Sequence, residues 1–136
     1  MEKELKILFA DDSQTIRELT SHVLEQRGHT IKTVTDGDKA IEFLNSLPPP
    51  DLVITDYNMP KMDGLEVLRR IRTDERFKTL QVIVYTTNNY AEFKSEVESL
   101  GGVLVDKKAD YLLAAVDAIA AKNAKEKGGR NGQASL

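Results

Sequence analysis

The sequence has no cysteine. That excludes disulfide scaffolding, zinc–thiolate sites and thiol catalysis. Histidine is scarce too: His22 and His29 are the only two. Both belong in or just after the first expected helix, so a nitrogen-ligated zinc or copper centre has too few donors. No apolar run approaches the roughly 20 residues that a bilayer-spanning helix needs. The start, Met1-Glu2-Lys3-Glu4, leads directly into a short apolar stretch that ends at Asp11-Asp12. It lacks the long apolar region and small-residue cleavage site of a secretory signal, and a cytoplasmic location is expected. There is no G-x-G-x-x-G, no G-x-x-x-x-G-K-[ST] and no D-x-D after the first strand, which argues against dinucleotide, P-loop and phosphohydrolase chemistry. Acidic residues outnumber basic ones outside the C-terminal end. The net charge is -3, and Lys122, Lys125, Lys127 and Arg130 face only Glu126 in the last fifteen residues. The body is therefore acidic, which disfavours nucleic-acid binding. The basic end is short, lacks aromatics, and reads as a solvated terminus.

What remains is a 136-residue chain with 40% apolar and 30% charged residues, enough for one globular domain with one core. Apolar runs alternate with helical patterns five times. Leu5–Ala10 reads as a buried strand. Ser13 can cap a helix whose apolar positions Ile16, Leu19, Val23 and Leu24 follow the 3.6 period, and Gly28 stops it. Thr30–Val34 is a β-branched strand. Asp36-Gly37 turns the chain, Ala40, Ile41 and Leu44 mark a second helix, and Pro48-Pro49-Pro50 blocks its continuation. Asp51–Asp56 is the third strand. The loop from Tyr57 to Gly64 leads into a helix carrying Leu65, Val67, Leu68 and Ile71. Leu80–Thr86 is the fourth strand, and Phe93, Val97 and Leu100 lie on the fourth helix, which ends at Gly101-Gly102. Val103–Asp106 is the fifth strand. Asp110 can cap the last helix, with Leu112, Leu113, Val116, Ile119 and Ala120 inward. Five βα units with near-continuous apolar strands predict a doubly wound parallel sheet with helices on both faces. The predicted domain covers residues 1–125, and residues 126–136 form a flexible, basic and Gly-rich tail.

In such sheets ligands bind beyond the carboxyl ends of the strands. Asp11 and Asp12 follow the first strand, Asp56 ends the third, Thr86 and Thr87 end the fourth, and the fifth runs into Lys107. Clustered carboxylates repel one another unless a cation joins them, and an all-oxygen donor set suits Mg²⁺. A carboxylate can attack phosphorus to form an acyl phosphate. A lysine and a hydroxyl beside it would contact phosphate oxygens, and phosphoryl transfer asks a protein mainly for positioning and charge stabilisation.

With Asp11-Asp12, the run Asp56-Tyr57-Asn58-Met59-Pro60-Lys61-Met62-Asp63-Gly64, Thr86 and Lys107 in this order, residues 5–122 resemble the receiver domain of two-component response regulators, above all the single-domain chemotaxis type. The resemblance implies a flavodoxin-like sheet of strand order 2-1-3-4-5 with five helices. It implies that Asp56 accepts a phosphoryl group from a histidine kinase or phosphotransfer protein. Asp12, Asp56 and the backbone carbonyl of Asn58 would bind Mg²⁺ directly, and Asp11 through water. Thr86 would move toward the phosphate and Lys107 contact it. The chain would be a phosphoacceptor that assists its own phosphotransfer and dephosphorylation, not an enzyme with a separate substrate. Its output would be a changed affinity for a downstream protein target. Asn58 and Asn88 occupy the positions that flank the route of the hydrolytic water.

Two positions depart from the family pattern. Lys108 stands where a proline usually follows the strand-five lysine, and Leu104 stands where an aromatic switch residue is common. Tyr85 is next to Thr86 but should point to the other face of its strand. These departures leave open a pseudo-receiver that binds partners without turning over phosphate, and the receiver part of a longer regulator remains a further alternative.

Overall fold

The computed structural model of the chain describes residues 4–46, 48–87 and 91–134. Asn88 and Tyr90 lie outside the described residues. Five strands, β1 (Lys6–Ala10), β2 (Thr30–Val34), β3 (Leu52–Thr55), β4 (Gln81–Thr86) and β5 (Val103–Asp106), alternate with five helices. The helices are α1 (Gln14–Gln26), α2 (Gly37–Leu44), α3 (Gly64–Thr73), α4 (Ala91–Ser99) and α5 (Ala109–Ala134). All neighbouring strands pair in parallel in the order β2-β1-β3-β4-β5.

The strands carry residues for both faces because both faces are covered. Leu8, Ala10, Val53, Val82 and Val84 pack with Ala40, Leu44, Leu65, Leu68, Ile71, Phe93 and Val97 from α2, α3 and α4. The alternate positions Ile7, Phe9, Leu52, Ile54, Ile83, Tyr85 and Val105 pack with Leu24, Leu112, Val116 and Ala120 from α1 and α5. Tyr85 thus lies on the face opposite Val84, as strand alternation requires.

Local chemistry sets the helix starts. The side chains of Ser13, Asp36 and Asp63 accept hydrogen bonds from the backbone N–H groups of Ile16, Lys39 and Glu66. Asp36 is therefore the cap of α2 rather than part of a free turn, and Gly37 is already helical. Gly28, at φ 92°, takes the left-handed conformation that releases the chain from α1. His29 is buried, and its Nδ1 accepts a hydrogen bond from the Leu5 N–H at 3.0 Å. It is a structural acceptor at the amino-terminal edge of the sheet, far from the strand ends that carry the carboxylates.

Four details differ from the sequence reading. Leu19 is 59% exposed, because α1 turns Thr20 and Leu24 inward and leaves Leu19 beyond the edge of the covered stripe. Asp110 sits inside the first turn of α5, not at its cap, where its charge still favours the helix N-terminus. A 3₁₀ turn at Glu75–Phe77, capped by Asp74, joins α3 to β4. The backbone of α5 is helical through Ala134. Helical backbone therefore extends into residues 126–134 despite the glycines, since each added residue gains one hydrogen bond and a glycine costs only about 1 kcal/mol against alanine.

Candidate functional site

The strand order reverses at β1 and β3, and the residues leaving these two strands face one another. Asp11 and Asp56 are tied by backbone bonds to the strands beside them. The Asp11 N–H donates to the Val34 carbonyl at 3.2 Å and the Asp56 N–H to the Ala10 carbonyl at 2.9 Å. Asp11 and Asp56 are buried, and Asp12 is exposed. Each offers a carboxylate oxygen, and these oxygens lie within 4.8 Å of one another.

Lys107, carried in from the end of β5, inserts its ammonium between two of them. Its Nζ is 2.6 Å from Asp11 Oδ2 and 3.3 Å from Asp56 Oδ2. Its backbone N–H donates to the Thr86 carbonyl at 2.9 Å, which fixes the lysine to the end of β4. Lys108 turns away, with its Nζ 5.4 Å from the centroid of the exposed Tyr111 ring. Of the two adjacent lysines, Lys107 reaches the carboxylates. One ammonium against three carboxylates leaves the cluster with excess negative charge. Burial, the largest cause, pushes the Asp56 carboxyl above its ordinary value, and Asp11 adds to the push while Lys107 opposes it.

Thr86 and Asn58 lie at or just beyond the ends of β4 and β3. Thr86 is buried at the end of β4. Asn58 is exposed in the loop that follows Asp56. Leu104 is half-buried and packs against the cluster beneath α2, α3 and α4, so β5 offers no ring beside Thr86. Tyr85 is on the other face, with its ring centroid 5.9 Å from Lys107 Nζ.

A tight turn shapes the loop from β3 to α3. Its residue with positive φ is Lys61, at 72°, and not the glycine three positions later. The Met62 N–H donates to the Pro60 carbonyl at 2.8 Å, which closes a strained three-residue turn around Lys61. Gly64 serves close approach instead. Its N–H donates to the Tyr57 carbonyl at 2.8 Å, and a Cβ there would overlap the Asp56 carbonyl oxygen. Gly64→Ala is expected to cost about 3 kcal/mol, the upper end for overpacking, because a backbone atom of the site cannot step aside. Urea unfolding checks this, and a cost below about 0.5 kcal/mol would show that the loop yields freely.

Three contacts have no clear sequence signal. The Ser13 N–H donates to Asp11 Oδ1 at 2.9 Å. Arg17 Nη1 donates to the Asp11 carbonyl at 2.8 Å. Tyr57, next to Asp56, stacks on Phe93 of α4 with centroids 4.3 Å apart and planes 7° apart. The stack joins the loop that carries Asp56 to the helix that follows Thr86. An aromatic at position 57 was visible in the sequence, but its partner lies 36 residues away, and only the fold brings the two together.

Comparison with known proteins places this geometry. The family model described as the response regulator receiver domain matches residues 7–116. Chemotaxis protein CheY1 of Helicobacter pylori (strain ATCC 700392 / 26695) is 36% identical over 84 residues, 61% of this chain and 68% of that protein. The chemotaxis response regulator CheY4 of Vibrio cholerae superposes with a TM-score of 0.77 at 29% identity, over 85% of this chain and 98% of that one. Response regulator TrrA of Thermotoga maritima, solved in complex with Mg²⁺-BeF, superposes with a TM-score of 0.69 at 31% identity, over 84% of this chain and 97% of that one.

Proposed function

We propose, given that this chain belongs to the response regulator receiver domain family, that Asp56 is its phosphoacceptor and that Asp11, Asp12 and Asp56 hold Mg²⁺ beside it. Receiver domains act in two-component signal transduction, where they meet histidine kinases and downstream targets. The observation that carries the reading is the ammonium of Lys107 between Asp11 and Asp56, in a cluster whose three carboxylates still outnumber it. A pseudo-receiver would have no need of that complete charged set.

The donor set fits the metal. All its side-chain groups are hard oxygens at one sheet edge, one of them exposed, as suits an ion that keeps several waters. The backbone carbonyl of Asn58 is the proposed further ligand. When bound, Mg²⁺ would offset the charge between the carboxylates and the incoming phosphoryl oxygens. Asp12 has no hydrogen bond or ion pair among the described residues, so its charge is held in reserve for a cation. Asp12→Asn is therefore expected to weaken Mg²⁺ binding by about tenfold or more while leaving metal-free stability within about 0.5 kcal/mol. Calorimetric titration and urea unfolding read the two effects, and unaltered Mg²⁺ affinity would remove Asp12 from the ligand set.

In the reaction, an Asp56 carboxylate oxygen attacks the phosphorus of a phosphohistidine on a kinase or phosphotransfer protein. The P–N bond breaks, its electron pair stays on the imidazole nitrogen, and an acyl phosphate forms on Asp56. Lys107 then supplies positive charge to a phosphate oxygen, and the Thr86 hydroxyl donates a hydrogen bond to another. The chain thus assists its own phosphorylation and changes its affinity for a downstream protein partner. Incubation with Mg²⁺ and acetyl phosphate tests the reading: intact mass should show one added phosphoryl group on the wild type and none on Asp56→Asn. Failure of the wild type to take up phosphate from this donor or from any phosphohistidine donor would favour the pseudo-receiver.

A further inference from the structure

Asp11 is fixed at every polar group. Its N–H donates to the Val34 carbonyl, its Oδ1 accepts from Ser13 N–H and its Oδ2 accepts from Lys107. Its backbone carbonyl accepts from Arg17 Nη1 at 2.8 Å. Asp12 is the opposite case. Its carboxylate is exposed and carries no partner among the described residues, so only the backbone directs it toward the other two. That backbone is the Asp11–Asp12 peptide, a rigid plane whose carbonyl oxygen is the atom Arg17 holds. The carbonyl lies ahead of the cap residue Ser13, outside the hydrogen-bond ladder of α1, and the Arg17 guanidinium donates to it. Arg17 itself is anchored one turn into α1, its N–H donating to the Ser13 carbonyl at 2.9 Å. It makes no ion pair among the described residues.

We infer that Arg17 is a positioning residue for Mg²⁺ binding, acting through the peptide plane that aims the Asp12 carboxylate. The inference rests on the metal reading above. It carries a sign that separates it from a charge effect. A guanidinium near the site repels a divalent cation, so removing its charge alone would tighten Mg²⁺ binding. Removing a positioning bond loosens it, as loss of the groups that orient metal ligands commonly does by 10- to 100-fold.

The test is calorimetric titration of the full chain with Mg²⁺ for the wild type, Arg17→Ala, Arg17→Lys, Asp12→Ala and the Arg17→Ala/Asp12→Ala double variant. Circular dichroism confirms that each is folded. Arg17→Ala should bind Mg²⁺ at least about tenfold more weakly. Arg17→Lys, which keeps a donor of similar reach, should recover most of the loss. In the Asp12→Ala background, Arg17→Ala should weaken binding no further. Unchanged or tighter binding by Arg17→Ala overturns the inference, as does an equal loss with and without Asp12. If Arg17→Ala does not fold, Arg17→Lys decides in its place: binding near that of the wild type supports the carbonyl bond, and weakening equal to that of Asp12→Ala overturns it. Failure of the wild type to bind Mg²⁺ would defeat the metal reading itself, a result distinct from any of these.

Discussion

Lys107→Met is expected to destabilise the metal-free protein by about 3 kcal/mol, the lower edge of the loss seen when one partner of a buried ion pair is removed. The wild-type ammonium is nearly buried, with side-chain exposures of 12% for Lys107, 1% for Asp11 and 11% for Asp56. Methionine keeps the length of the stem and removes the charge, which leaves Asp11 and Asp56 facing each other without a cation. The lower edge applies because Asp12 opens the cluster to water on one side. The same substitution should strengthen Mg²⁺ binding, since the ion would no longer share its carboxylates with an ammonium. Saturating Mg²⁺ should then recover much of the lost stability by mass action. Phosphorylation should fall nevertheless, because the proposed role of Lys107 is also to contact the phosphate. Urea unfolding with and without Mg²⁺, alongside phosphoryl uptake, reads all three. Undiminished metal-free stability would mean that Lys107 is not what holds the carboxylates together.

The part of this site that could be read from the sequence was the part carried by strand ends. Asp11, Asp56, Thr86 and Lys107 each follow or end a short apolar run, and a doubly wound parallel sheet brings such ends to one edge. Choosing Lys107 over Lys108 needed only the register of β5. The contacts that hold the site in shape were less legible. Arg17 reads as an ordinary polar residue of an amphipathic helix, and its bond to the Asp11 carbonyl depends on how the chain bends between β1 and α1. Lys61 takes positive φ in a loop that contains a glycine three residues later, and residue type alone does not announce it. Gly64 is required by the Asp56 carbonyl, a neighbour that no local pattern announces. The Tyr57–Phe93 stack needs the packing of α4 against the β3–α3 loop. The far end of α5 carries Gly128, Gly129 and Gly132, which read as breakers, yet its backbone is helical through Ala134. Local chemistry therefore marked the strand-end groups of the proposed site, and long-range packing brought in the side chains that contact them.

Asp56→Asn should abolish phosphoryl uptake and, in the absence of Mg²⁺, make the protein more stable than the wild type at neutral pH. Asparagine keeps the shape and can still accept the Tyr57 N–H bond that Asp56 Oδ1 receives at 2.8 Å. What it loses is a charge that the folded state disfavours. Burial first, and Asp11 second, hold the Asp56 carboxyl above its ordinary range, and Lys107 compensates only in part. A carboxyl whose folded value exceeds its unfolded value takes up a proton more readily in the folded state. Its contribution to stability is therefore greatest below the ordinary carboxylate range. It declines as pH rises from the unfolded value through the folded one, and the deficit persists at neutral pH. Asp56→Asn removes that decline, so its metal-free stability should change less with pH across this window than that of the wild type. Mg²⁺ should reverse the ranking, because only the wild type offers all three carboxylates to the ion and gains the corresponding binding free energy. Thermal unfolding in EDTA and in saturating Mg²⁺, each across the acid range, gives both comparisons. An Asp56→Asn variant less stable than the wild type in EDTA at neutral pH would show that Lys107 and Asp56 form a net stabilising pair. Relief of carboxylate repulsion would then add nothing to the Mg²⁺ affinity of the proposed site.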